Sequence, residues 1–101
     1  MFEIFLTELA RDQLHKLKID KGLEKRYNSV KKSVKKAIQF LSTNPKHKSL
    51  QTHEFTSLKG PKGEKIFEAY AEQSTPAAYR VFWRYGPGKN QITVIAITPH
   101  P

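Results

Sequence analysis

Apolar and polar positions recur along this 101-residue chain with two different periods. Phe2, Ile4 and Leu6 alternate with Glu3 and Phe5, the period of a strand. Thr7 then offers an N-cap, Glu8 suits a first helical turn, and Leu6, Ala10, Leu14 and Leu17 recur at spacings of 4, 4 and 3. A helix to about Lys18 is predicted, closed by a turn at Asp20-Lys21-Gly22. Leu23, Tyr27, Val30, Val34, Ile38 and Leu41, spaced 4, 3, 4, 4 and 3, predict a longer second helix. Asn44-Pro45 ends it.

From His47 to Glu64 neither period holds, and Gly60-Pro61 and Gly63 predict an exposed loop. Three strand-like runs follow: Lys65–Ala71, Tyr79–Tyr85 and Ile92–Thr98, the last two joined by a hairpin over residues 86–90. The predicted fold is α+β in the order βααβββ. Two N-terminal helices pack on one face of a mainly antiparallel twisted sheet, in one domain spanning residues 1–101. Tyr79, Val81, Trp83 and Tyr85, with Phe67, Ala69 and Ala71, form the helix-facing side. Glu68, Tyr70, Arg80 and Arg84 project from the other.

Composition narrows the classes. With no cysteine, disulfide scaffolds, thiol catalysis and Cys-based zinc sites are excluded. No apolar run approaches the ~18–20 residues that cross a bilayer, and no secretory leader opens the chain, so a cytoplasmic location is expected.

Charge changes the picture more. The chain carries +9 formally, and residues 1–48 hold 12 Lys/Arg against 5 Asp/Glu. Between Lys25 and His53 there is no acid but eight bases, among them Lys31, Lys32, Lys35 and Lys36. That field suits a polyanion or an acidic protein partner; a solvated helix face is the plainer alternative. On the open sheet face, Arg80 is a candidate phosphate contact, and an Arg80–Glu68 cross-strand ion pair is its silent counterpart. Lying off the core, Arg80 is expected to tolerate alanine without loss of the fold.

The element order, the loop His53-Glu54-Phe55-Thr56-Ser57-Leu58-Lys59-Gly60, the strand Tyr79-Arg80-Val81-Phe82 and the ending Ile95-Ala96-Ile97-Thr98-Pro99-His100-Pro101 resemble the RelE/ParE superfamily of type II toxin–antitoxin toxins. The resemblance covers essentially the whole chain. Its RelE-like branch implies a ribosome-dependent mRNA endonuclease that inhibits translation without metal or other cofactor. There a 2′-hydroxyl attacks the adjacent phosphate, which requires a base, cations at the equatorial oxygens and an acid for the leaving 5′-oxygen.

By this resemblance Arg80 falls on the family's strand arginine, His100 on a near-C-terminal His or Arg, and His53 on a loop histidine used by some members. Glu68 and Tyr70 stand where several members carry basic residues. Glu68 is then a candidate base, and Tyr70, with Arg84 and Lys65, a candidate substrate contact. The implied partners are an antitoxin with an acidic segment, the ribosome and mRNA. The alternatives are a ParE-like toxin that binds DNA gyrase and catalyses nothing, and a non-toxic member that only binds antitoxin.

Overall fold

The computed structural model describes residues 1–17, 24–73 and 78–99, with side chains from Ser29 onward in the second helix. The order is β1 (Glu3–Leu6), α1 (Glu8–Lys16), α2 (Glu24–Thr43), a 3-10 turn (Lys48–Leu50), β2 (His53–Lys59), β3 (Lys65–Tyr70), β4 (Tyr79–Tyr85) and β5 (Gln91–Pro99). The turn expected at Asp20-Lys21-Gly22 lies outside the described residues.

Local chemistry places the helices. The Thr7 side chain accepts from the Ala10 N–H at 3.1 Å, capping α1, and its hydroxyl donates to the Ile95 carbonyl at 2.8 Å. One residue thereby starts a helix and pins it to β5. Gln13 adds a second tie, its Oε1 accepting from the Ile97 N–H at 2.6 Å. On α2, Val30, Val34, Ala37 and Leu41 form the fully buried stripe, with Ile38 packed beside it. Among the described side chains the predicted stripe differs in taking Ile38 for Ala37; its Leu23 and the Tyr27 side chain lie outside them.

Strand order in the five-stranded sheet is β1-β5-β4-β3-β2. β1 runs parallel to β5, pairing Ile4 with Ile92 and Leu6 with Val94, and the other neighbours are antiparallel. Both helices lie on one side, over Ala69, Val81, Trp83, Ile92, Val94 and Ile97. Phe82 pairs with Ala96 and Trp83 with Val94, so Ile95 is an extra residue in β5. That bulge is why Val94 and Ile97, three positions apart, are both buried under the helices.

One element departs from expectation. Residues 47–64 are not a loop: they contain the 3-10 turn and β2, which extends the βααβββ order by one strand. Among the described residues β2 pairs only with β3, and its register shifts between Glu54 and Lys59. An edge strand with an irregular ladder buries neither face, so no alternation marks it. Its return turn holds Glu64, whose carboxyl is kept below its ordinary value near 4.5 by the backbone N–H groups of Glu64 itself and of Lys62, with Arg84 adding to them.

Leu41→Ala should cost about 2–5 kcal/mol in urea unfolding, whereas Leu58→Ala on exposed β2 should fall within about 0.5 kcal/mol. Glu64, with its pKa lowered on folding, supports the fold above its ordinary value and ceases to as pH falls through the lowered one. The difference in urea midpoint between wild type and Glu64→Gln should therefore shrink from pH 6 to pH 3.

Candidate functional site

The sheet face turned away from the helices receives Ile66, Glu68 and Tyr70 from β3 and Arg80, Phe82 and Arg84 from β4, by alternation. β2 adds His53, which pairs directly with Glu68. This face is not simply solvated. Ile66 and Phe82 are buried, and the Phe55 ring meets Phe82 edge-on at 5.0 Å between centroids. A thin apolar layer thus floors one end of a polar cluster.

At the centre of the cluster is Glu68, its side chain only 3% exposed. Arg80 stands opposite Tyr70, and Glu68 opposite Phe82, so Arg80 and Glu68 are diagonal neighbours on adjacent strands. The Arg80 Nη1 forms an ion pair with Glu68 Oε2, and the arginine side chain is itself only 11% exposed. Its guanidinium carbon lies 5.8 Å from the centre of the Phe82 ring, and its Nε is buried without a hydrogen-bond partner. On the other side, His53 Nε2 lies 2.6 Å from Glu68 Oε1.

The His53 ring is half exposed, and its Nδ1 lies 3.1 Å from the Gln51 carbonyl, which can only accept. Each ring nitrogen therefore faces an oxygen. Only the exposed contact to Gln51 is open to replacement by a ligand, because Glu68 is buried beneath. Tyr70 closes the group, its ring 5.9 Å from that of His53 and nearly perpendicular to it.

Four residues expected from the sequence, Arg80, Glu68, His53 and Tyr70, thus come together. His53 sits at the start of a strand rather than in a loop. Arg84 is on the same face but four residues along β4, about 13 Å away by strand rise. It pairs with Glu64 at 3.5 Å and donates to the Tyr85 carbonyl. Lys65 starts β3 and lies 4.0 Å from Glu54, apart from the cluster. His100 is outside the described residues.

The four lysines of α2 divide between surfaces. Lys31 and Lys35 join Arg11 and His15 around Leu14 in a groove of about 180 Å³ between the helices. Lys36 turns the other way, toward Tyr70, and Lys32 is exposed. Phe55 was hidden from sequence reasoning inside the segment read as loop, whereas Phe82 was visible in the β4 alternation but not recognised as a floor.

Burial of the Arg80–Glu68 pair also revises the expectation that Arg80 tolerates alanine. Removing one partner strands a buried charge, so Arg80→Ala alone should cost about 3–5 kcal/mol. The double variant Arg80→Ala with Glu68→Ala should be more stable than Arg80→Ala. A double-mutant cycle in urea measures the coupling, and strict additivity of the two single changes would contradict this geometry.

No family model matches the chain, and no curated protein matches it in sequence. Solved structures do. A YoeB/ParE toxin from Agrobacterium tumefaciens is 12% identical, with TM-score 0.67 over 99% of this chain and 100% of that one. The archaeal RelE–RelB complex from Pyrococcus horikoshii OT3 gives 12% identity and TM-score 0.64 over 97% and 93%. A copper-bound mutant toxin from Helicobacter pylori gives 17% and 0.55 over 99% and 96%. Two helices on one side of a five-stranded, mostly antiparallel sheet, in this order, are the fold of the RelE/ParE toxins.

Proposed function

We propose that this protein is the toxin of a toxin–antitoxin pair and acts as a ribosome-dependent mRNA endonuclease that needs no metal. The observation that carries the reading is the buried Glu68 carboxylate held between Arg80 and His53 on the sheet face away from the helices. Cleavage by 2′-hydroxyl attack needs a group that takes the hydroxyl proton and a cation at the phosphate. The reacting His53 carries its one ring proton on Nε2, toward Glu68. Nδ1, turned from the Gln51 carbonyl to the 2′-hydroxyl, then has a lone pair to take that hydroxyl's proton. The oxygen attacks the adjacent phosphorus, the bond to the 5′-oxygen breaks, and a 2′,3′-cyclic phosphate and a 5′-hydroxyl result.

Glu68 is buried and acts through its neighbours. It orients the imidazole through Nε2, as the buried carboxylate of a histidine–carboxylate pair does, and holds the guanidinium in place. The remaining N–H groups of Arg80 offset charge gathering on the phosphate oxygens. His100 carries the proton to the leaving 5′-oxygen, a role that rests on the sequence resemblance alone. An antitoxin partner is supported by the RelE–RelB complex among the similar structures.

A second reading, a ParE-like toxin that binds DNA gyrase and cuts nothing, is favoured by one observation. The charge of Arg80 is matched by Glu68, which leaves less of it for a phosphate.

Toeprinting on programmed ribosomes separates the two. The nuclease reading expects new cuts within A-site codons with wild-type protein, reduced about 10²- to 10⁴-fold by His53→Ala. Intact mRNA beside folded wild-type protein removes that reading, and inhibition of gyrase supercoiling would then establish the second.

A further inference from the structure

Between α2, the 3-10 turn and the end of β3 lies a cleft of about 230 Å³. Its walls include Ser33, Lys36 and Phe40 of α2, Ser49, Tyr70 and Gln73. Three hydroxyl-bearing residues and one lysine line it, and none of the described lining residues is acidic. Such a lining offers hydrogen-bond donors and positive charge to a ligand, the complement of a phosphate. It also offers aromatic surface. Phe40 is backed by the His47 ring, stacked at 4.0 Å, and Lys36 Nζ lies 5.9 Å from the Phe40 ring centre.

The walls are braced. Gln73 donates to the Ser49 carbonyl and accepts from the Gln51 amide at 3.2 Å, tying the 3-10 turn to the chain beyond β3. His47 Nδ1 accepts from the Ser49 N–H at 3.1 Å, which fixes the turn from its other end. Tyr70 belongs to both places: it lines the cleft and sets its ring against His53. A ligand leaving the Arg80–Glu68–His53 cluster past Tyr70 therefore enters this cleft without crossing the core.

We infer that the cleft is a subsite for one nucleotide of single-stranded RNA, next to the nucleotide held at Arg80 and His53. This inference deepens the nuclease reading and rests on it. Lys36 and the hydroxyls of Ser33 and Ser49 hold the phosphate of the neighbouring nucleotide, and Tyr70 and Phe40 supply apolar surface to its base. The small volume admits a single nucleotide and excludes a duplex. Lys36 thereby differs in role from Lys31 and Lys35, which lie in the groove against α1.

The test is an NMR titration of amide shifts with a 2′-O-methyl trinucleotide, whose blocked hydroxyl prevents cleavage. Shifts at Ser33, Lys36, Ser49 and Gln73 together with His53 are expected. Lys36→Ala should weaken binding about tenfold, the effect of losing one charge-assisted hydrogen bond, while Lys36→Arg retains most of it. Shifts confined to His53, Tyr70 and Arg80, an unchanged Kd in Lys36→Ala, or inorganic phosphate binding as tightly as the trinucleotide would each overturn the subsite. Toeprinting reports separately on the nuclease. Shifts in the cleft without mRNA cutting would remove the nuclease reading and keep the cleft, and cutting without shifts would do the reverse.

Discussion

A carboxylate taken out of water must be matched where it sits, and Glu68 imposes that condition on three strands at once. Its own strand carries it under the surface of the sheet, β4 must bring Arg80 to one of its oxygens, and β2 must bring His53 to the other. A slip of one residue in either pairing would turn Arg80 or His53 to the opposite face. The cluster is therefore a register lock as well as a chemical site. The helix-facing side of the sheet specifies register by apolar burial around Trp83; the other side does so by charge.

Much of this architecture was legible in the chain. The spacing of Val30, Val34 and Leu41 marked α2, and the Tyr79-to-Tyr85 alternation told the two faces of β4 apart, because α2 buries one stripe fully and β4 buries Val81 and Trp83 completely on its helix-facing side. β2 was not legible: His53 to Lys59 borders a single neighbour, so no burial pattern was written into it. The same blindness concealed how the third member of the site, named by resemblance, reaches the other two. Arg80 and Glu68 could be paired from strand alternation, but His53 joins them only through a strand that was read as a loop. Nor could local sequence reveal that β1 pairs parallel with β5, since partners so far apart leave no periodic trace.

The positive charge of the chain also resolves into places once α2 is seen in context. Lysines that are consecutive in sequence stand on different sides of one helix, because each residue turns about 100° from the last. Lys35 looks into the groove with α1 while Lys36 looks toward the sheet end where Tyr70 lies. A run that reads as one basic patch therefore serves two surfaces, and a variant that neutralises the whole run would blur two effects. The candidate site draws its own cation from β4, not from this helix.

The parallel pairing of β1 with β5 has a consequence for how the molecule is made. Among the described residues Glu3 to Leu6 have their only sheet partner at Gln91 to Val94, and the cap of α1 rests on the Ile95 carbonyl 88 residues away. During synthesis, the first strand leaves the ribosome with nothing to pair with, and α1 emerges without the strand that anchors it. Both wait until β5 has been made and has cleared the exit tunnel. Contacts closed over so long a loop form late. The polar cluster therefore rests on a closed scaffold only once β5 has joined β1 to the rest of the sheet.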